Sequence, residues 1–241
     1  MVLDKPIINL DATASENPTK VSITHKVSDV VIHYTLDGNM PNESSPIYTI
    51  PFMMKTTGSV KAKAFKEGFV NSFLSSTSFQ LLFAESISFE SSPSEKYSGG
   101  ATDALINGKF GVLYDFHRDW VGFEGADLMA TIKLKKPVNI SSVIARFLQD
   151  QGAWVFLPIS VQYEASSDGV DFKTVFQQDT RRESETKALD PEIRKYTSSI
   201  SATNVTHLRI RAKNIGVCPD WHKGAGRKAW LFADEIFIES Q

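Results

Sequence analysis

Aromatic and charged side chains share several short segments of this 241-residue chain. Trp120 follows His117 and Arg118, and Trp154 follows Asp150 by four residues. Indole rings pack against the flat C–H faces of sugars, while charged and planar groups hydrogen-bond to sugar hydroxyls. The sequence therefore predicts a carbohydrate-binding surface made of His117, Arg118, Trp120, Asp150, Trp154, Trp221, His222 and Lys223.

The alternative interpretation places the tryptophans inside the protein, where they would close the end of a β-sandwich. Trp230 stands beside Leu231 and Phe232 at the start of a predicted strand, so burial is favoured there. Trp154 fits either role, because apolar residues follow it directly. For Trp120 and Trp221 we favour exposure and contact with a ligand.

Catalysis is the next chemistry to consider. A glycosidase needs two carboxylates about 5–9.5 Å apart around one sugar. Asp234 and Glu235 are adjacent in a predicted strand, so their side chains should point to opposite faces. Cys218 and His222 could supply a thiol and its base, but a buried cysteine near an unrelated histidine is the simpler interpretation. The sequence also lacks the nucleophile-elbow, zinc-protease and phosphate-loop motifs, and we expect no enzyme activity in this chain.

Composition excludes several kinds of partner. The chain has 26 Lys and Arg against 28 Asp and Glu, a net charge of −2, which gives no electrostatic case for nucleic acid. Its single cysteine excludes an internal disulfide. The sequence has no apolar run near the ~18 residues of a membrane span, and Asp220 beside Trp221 opposes membrane entry.

Alternation of apolar and polar residues predicts half-buried strands over residues 59–64, 159–165 and 207–213. Asp-Gly pairs at residues 37–38 and 168–169 indicate tight turns between antiparallel strands. The one candidate helix, residues 184–193, is short and contains a proline. These patterns predict an all-β protein built of β-sandwiches.

A boundary near residues 82–84 separates a first domain, residues 1–83, from a second, residues 84–241. The first is long enough for a small seven-stranded sandwich. In the second, residues 130–134 and 140–148 should form antiparallel strands joined by a short connection. The loops before and after this pair would then lie at the same end of the domain.

The segments YTLDG at residues 34–38 and VKAKAF at residues 60–65 carry a family resemblance. Together with Pro41 and the SPIY of residues 45–48, they resemble the chitobiase/β-hexosaminidase C-terminal domain over residues 5–82. The resemblance implies an immunoglobulin- or fibronectin-like sandwich without catalytic residues. Such a domain usually acts as a spacer or support beside a glycoside hydrolase domain.

The second domain resembles a discoidin domain, also called a coagulation factor V/VIII type C domain, and among these the family 32 carbohydrate-binding modules. The resemblance is carried by ALING at 104–108, WVGFEG at 120–125, ATIKL at 130–134 and ADEI at 233–236. It implies a galactose-binding-like jelly-roll sandwich with ligand loops at one end. It also implies a structural calcium ion, held by Asn107, Glu235 and the backbone carbonyls of Ala104, Lys109 and Asp234. Asn107 stands where the family commonly has an aspartate, and its neutral side chain weakens such a site.

These resemblances imply a non-catalytic C-terminal region of a longer, secreted β-N-acetylhexosaminidase. The expected partners are the catalytic domain of the same polypeptide and a glycan ending in galactose or N-acetylhexosamine. The expected location is extracytoplasmic, in the periplasm or at the cell surface. The alternative is a purely structural role, in which both domains pack on the catalytic domain without binding sugar.

Overall fold

The structure is a computed structural model that describes residues 2–11, 19–37, 39–54, 58–79, 83–100, 102–188 and 190–240. It divides into two compact units, Met1–Leu81 and Leu82–Gln241. The division falls two residues before the boundary that the sequence predicts. Strands dominate both units, so the prediction of an all-β protein is confirmed.

The first unit consists of two three-stranded antiparallel sheets. One sheet has the order β1-β2-β4 and the other has the order β3-β5-β6. The described residues therefore form six strands, where the sequence predicted seven. The strands are β1 (Ile7–Asp11), β2 (Thr19–Thr24), β3 (Val31–Thr35), β4 (Phe52–Met54), β5 (Gly58–Phe65) and β6 (Ser75–Phe79).

The core of the first unit follows from the alternation along β5. Val60 and Ala62 are fully buried and pack with Val21 and Ile32, while Lys61 and Lys63 lie on the other face of β5. The predicted strand at residues 59–64 is therefore confirmed. The predicted turn after β3 involves Gly38, which lies outside the described residues.

The second unit is one antiparallel sheet system with the order β11-β10-β12-β9-β13-β8, and β7 also pairs with β9. The turn predicted at Asp168 and Gly169 connects β10 to β11, and Gly169 has the positive φ of 80° that favours glycine there. The strands are β7 (Ala84–Phe89), β8 (Val121–Glu124), β9 (Leu128–Gln149), β10 (Ser160–Ser166), β11 (Lys173–Asp179), β12 (Glu192–Lys213) and β13 (Trp230–Ser240).

The two longest strands, β9 and β12, pair with each other along almost their whole length. Each has 22 residues, and a straight strand of that length would extend about 70 Å. We call the β9–β12 pair the ribbon. Shifts of register between Ser199 and His207 let the ribbon bend near its middle. The separate strands predicted at residues 130–134 and 140–148 are thus two halves of one bent strand.

Helical structure is sparse in the second unit. The sequence predicted a helix over residues 184–193, whereas the structure has a five-residue α-helix, Arg181–Glu185. Pro191 cannot extend a helix, and β12 begins directly after it at Glu192. Among the described residues, the helices are too short and too polar to span a lipid bilayer.

Ser198 on β12 provides a test of how β12 is held to β9. Its buried Oγ accepts a hydrogen bond from Val143 N at 3.0 Å and donates one to Val143 O at 3.0 Å. Ser198→Ala should lower the free energy of unfolding by about 1–3 kcal/mol, because both backbone groups lose a buried partner. The neighbouring exposed Ser199 is the matched control, and Ser199→Ala should change stability by less than ~0.5 kcal/mol. Urea unfolding measures both, and equal effects would contradict this role of Ser198.

Candidate functional site

Three loops meet at one end of the second unit because the ribbon is folded over. Gly125 N, just before β9, donates to Ala229 O at 2.7 Å, just before β13. Trp230 N donates to Trp154 O at 2.9 Å, in the loop that follows β9. The loops at residues 125–127, 150–156 and 214–229 therefore share this end, as the topology argument predicted.

The longest of these loops, residues 214–229, is itself built like a hairpin. Cys218 N donates to Arg227 O at 2.8 Å, and Gly226 N donates back to Cys218 O at 3.0 Å. The turn between them carries Trp221, His222 and Lys223. Cys218 is buried against Phe156, and this burial raises the pKa of its thiol, in line with the core position that the sequence favoured.

The shorter loop after β9 holds Trp154 in a strained conformation. Its φ is 68°, in the left-handed region that large side chains rarely adopt. Asp150 fixes the loop, because its carboxylate accepts from Ala153 N at 3.2 Å and its backbone exchanges hydrogen bonds with Val155. Asp150 was predicted to bind sugar hydroxyls, and the structure shows its carboxylate bonded within the loop.

His222 links the two loops. Its Nε2 lies 2.7 Å from Gln151 O, and its Nδ1 accepts from Gly224 N at 3.0 Å. This pattern assigns the proton to Nε2, which donates to the carbonyl. Both ring nitrogens are therefore occupied, and the side chain is buried. The prediction that His222 binds a ligand directly is wrong, because its hydrogen-bonding capacity is used to join the loops.

A patch with an exposed indole results from this arrangement. Trp221 is 43% exposed, and its ring packs at 6.3 Å from Phe156 and 5.8 Å from His222. The half-buried Trp154 ring carries the Arg227 guanidinium at 5.4 Å from its centroid. We call Trp154, Trp221 and Arg227 the indole patch; the buried His222 supports Trp221, and the exposed Lys223 follows in the same turn.

Trp120 does not belong to this patch. It is fully buried, and its indole N–H donates to Val112 O at 3.0 Å. It packs with Leu148 and Phe232, and a Cβ on Gly111 would lie only 2.2 Å from its ring. The prediction that Trp120 contacts a ligand is wrong, because the indole plugs the end of the sandwich.

The remaining predicted residues, His117 and Arg118, are exposed on the neighbouring loop. The His117 ring lies 5.2 Å from Tyr97, which in turn packs edge-on against Trp230 at 5.1 Å. Arg118 pairs with the adjacent Asp119 at 3.4 Å. Trp230 is half-buried, in line with the internal role that its sequence context favoured.

Three residues with functional potential were not predicted. Arg227 lies over Trp154, Tyr97 contacts His117, and Tyr114 is exposed with a left-handed φ of 69°. Arg227 could have been suspected, because it belongs to the same loop as Trp221 and Lys223. Tyr97 and His117 are twenty residues apart in the sequence, and no local pattern indicates that their rings lie close together.

The residues predicted to hold calcium lie where β13 meets the loop at residues 104–111. Gly108 N donates to Glu235 Oε2 at 2.9 Å, and Gly111 N donates to Asp234 Oδ2 at 2.9 Å. The register of β13 is irregular at these two residues. Both carboxylates therefore bind the same loop, which corrects the prediction that they point to opposite faces.

An arginine accompanies this acidic pair. Arg146 lies 3.1 Å from Asp234 Oδ2 and stacks on Phe110, with the guanidinium 4.4 Å from the ring centroid. Burial raises the pKa of Asp234 to about 7, although Arg146 and the Gly111 N–H favour the charged form. Asp234 Oδ1 and Arg146 Nε are both buried without a partner.

This donor set does not fit a calcium ion. Ca²⁺ needs six to eight oxygen ligands, and the Arg146 guanidinium, 3.1 Å from Asp234 Oδ2, would repel it. Asn107 Oδ1 accepts from Lys109 N at 2.9 Å and caps its own turn. The described residues contain no group of three or more acidic, histidine or cysteine side chains suited to a metal, so the backbone carbonyls of Ala104, Lys109 and Asp234 would have to supply most of the ligands.

Comparison with known families agrees with the predicted resemblance of the first unit. Residues 11–77 match the family model described as the chitobiase/beta-hexosaminidase C-terminal domain. This confirms the resemblance given by the motifs at residues 34–38 and 60–65. No curated protein sequence matches the chain.

Several solved structures are similar to the chain. One is a family 32 carbohydrate-binding module from a family 31 glycoside hydrolase of Clostridium perfringens, with 14% identity, a TM-score of 0.43, and coverage of 66% of this chain and 92% of the module. Another is the C-terminal domain of a chitobiase from Bacteroides fragilis, with 13% identity, a TM-score of 0.37, and coverage of 66% and 97%. A third, also from Clostridium perfringens, was solved with GalNAc-β-1,3-galactose, with 17% identity, a TM-score of 0.40, and coverage of 63% and 92%.

Substituting Trp120 and Trp221 one at a time should show that the first ring stabilises the core and the second does not. Trp120→Ala should destabilise the chain by about 3–5 kcal/mol, because it leaves a cavity in the plug. Trp221→Ala should cost ~1 kcal/mol or less, because the exposed ring loses little burial. Thermal unfolding followed by circular dichroism measures both. A larger loss for Trp221→Ala than for Trp120→Ala would contradict the assignment.

The loop at residues 104–111 should be stable without metal. Neither EDTA nor added Ca²⁺ should change the melting temperature, because Arg146 balances the charge of Asp234. Arg146→Met should cost about 3 kcal/mol, since it leaves a buried carboxylate without its cation. Lys195 is exposed opposite Arg146 in the ladder, so Lys195→Met is the matched control and should be nearly neutral. Stabilisation of the unsubstituted chain by Ca²⁺ would contradict this view.

Proposed function

We propose that this chain is a non-catalytic carbohydrate-binding accessory region of a secreted glycoside hydrolase, and that it binds sugar through the indole patch. The observation that carries the proposal is the exposed Trp221 ring, which is fixed from behind by Phe156 and His222. A ring held in this way loses little conformational entropy when a ligand packs on it. The strained Trp154 backbone also supports a functional role for the loop.

The mechanism is binding without chemistry. The C–H face of a pyranose packs on Trp221, while Arg227 and Lys223 donate hydrogen bonds to hydroxyl or carbonyl oxygens. A small open surface gives weak binding, and we expect dissociation constants on the order of 1 mM, equivalent to about −4 kcal/mol. Tethering to an enzyme makes weak binding useful, because it raises the local concentration of the substrate near the catalytic domain.

The ligand class that we propose is a glycan ending in galactose or N-acetylhexosamine. The parent enzyme would be a β-N-acetylhexosaminidase located outside the cytoplasm. Support for the parent comes from the match of residues 11–77 to the chitobiase/β-hexosaminidase C-terminal family. The catalytic domain of the same polypeptide is then the natural protein partner.

A supporting role is a second candidate function, and it applies to the first unit. Eleven large apolar side chains of the first unit are well exposed among the described residues, against six in the second unit, which is about twice as long. Met40, Ile50 and Phe73 are examples. A surface that packs against another domain needs such side chains to lie together on one face, and a contiguous patch is what this role predicts.

Calorimetric titration with galactose and N-acetylglucosamine tests the sugar site. Trp221→Ala should weaken binding at least about tenfold, or ~1.4 kcal/mol, because the stacking surface is lost. Phe73→Ala is the control, since Phe73 is 77% exposed and lies in the first unit. It should leave this affinity unchanged. The proposal fails if the unsubstituted chain binds neither sugar, or if Trp221→Ala binds as well as the unsubstituted chain.

A further inference from the structure

His33 in the first unit is a buried polar residue on the face of β3 that points away from the core. Ile32 points into the core, so His33 and Val31 lie on the opposite face of β3. Val31 is exposed there, whereas only 6% of His33 is exposed. The segment at residues 41–46 covers it, because the His33 Nδ1 lies 2.6 Å from Ser45 O.

The protonation pattern of His33 follows from this contact. A backbone carbonyl only accepts hydrogen bonds, so Nδ1 carries the proton and donates it to Ser45 O. Nε2 is then a hydrogen-bond acceptor in the neutral ring. Nε2 has no hydrogen-bond partner among the described residues. Nε2 is not among the buried side-chain atoms of these residues that lack a partner, so it is accessible to water or to a ligand that supplies a donor.

His33 lines a cleft of about 540 Å³, a size within the range of small-molecule sites. Phe65 meets the His33 ring edge-on at 5.0 Å. Phe69 adds a second ring on the turn after β5, with Lys66 at 5.6 Å from its centroid. The cleft therefore has aromatic walls around one imidazole acceptor.

Polar side chains surround the opening of the cleft. Glu43 comes from the covering segment, and Glu67 and Asn71 come from the connection between β5 and β6. With Lys66 also present, the lining carries both signs of charge and no strong field of one sign. Such a lining suits a neutral ligand that has apolar faces and many hydroxyls more than it suits an ion.

We propose that this cleft is a second saccharide-binding site, located in the first unit and independent of the indole patch. A pyranose places its C–H face against Phe69, and one hydroxyl donates to His33 Nε2. Asn71 and Glu43 hydrogen-bond to hydroxyls nearer the opening. Two sites in one chain would allow it to hold two sugars of one glycan, or two chains of a polysaccharide.

The test is a titration of the full 241-residue chain with N-acetylglucosamine and galactose, followed by NMR. Signals of the His33 ring and of Phe69 should shift with sugar concentration. They should shift equally in the Trp221→Ala variant, which removes the indole patch. His33→Asn retains a donor toward Ser45 but lacks Nε2, and Phe69→Ala removes an aromatic wall. Each should weaken binding in the cleft about tenfold or more.

The experiment distinguishes failure of the cleft proposal from failure of the proposed function. No shift at His33 and Phe69 up to ~10 mM sugar, well above a millimolar dissociation constant, would overturn the second site. Unchanged affinity in both cleft variants would also overturn it. If sugar shifts the signals of His33 and Phe69 but not those of the Trp221 ring, the result would count against the proposed function and leave the cleft proposal intact. Thermal unfolding of both variants checks that the first unit is folded, and Phe69→Ala is the safer variant because Phe69 is only half-buried.

Discussion

A folded two-stranded ribbon determines where the loops of the second unit lie. β9 and β12, each of 22 residues, pair from Glu192 to Ala212, and the register of this pairing shifts between Ser199 and His207. Because the ribbon bends, the segments before and after β9 return to the same end. The backbone hydrogen bonds of Trp230 and Gly125 then join three loops into one surface, on which the side chains of the indole patch depend.

Two of the connections at that surface are polar side chains used as structural links. His222 ties the hairpin-like loop to the loop after β9, and Asp150 holds the latter in its strained form. The Asp234 and Glu235 pair acts in the same way on the loop at residues 104–111, with Arg146 as its counter-charge. Charged and aromatic residues close together in sequence thus differ in role: some hold the loops together, and others, such as Trp221, are exposed on the surface.

The sequence predicted many of the strands, because alternation and turn residues act locally. The order of the strands at residues 130–134 and 140–148 then predicted that the loops share one end. They could not separate Trp120 from Trp221, since both follow an aspartate and stand near a histidine. The difference is tertiary: Gly111 leaves room for the Trp120 indole beside Phe232, whereas the hairpin holds Trp221 outside the core. The bend of the ribbon and the role of Arg146 likewise depend on contacts between distant residues, which local patterns do not encode.

The central claim is that the fixed, exposed ring of Trp221 forms a sugar-binding surface. The most direct measurement is a crystal structure of the chain grown with N-acetylglucosamine or galactose. The account predicts a pyranose stacked on the Trp221 ring, with Arg227 or Lys223 hydrogen-bonded to it. A sugar bound at the opposite end of the second unit, or a loop end that stays empty at saturating sugar, would contradict the account.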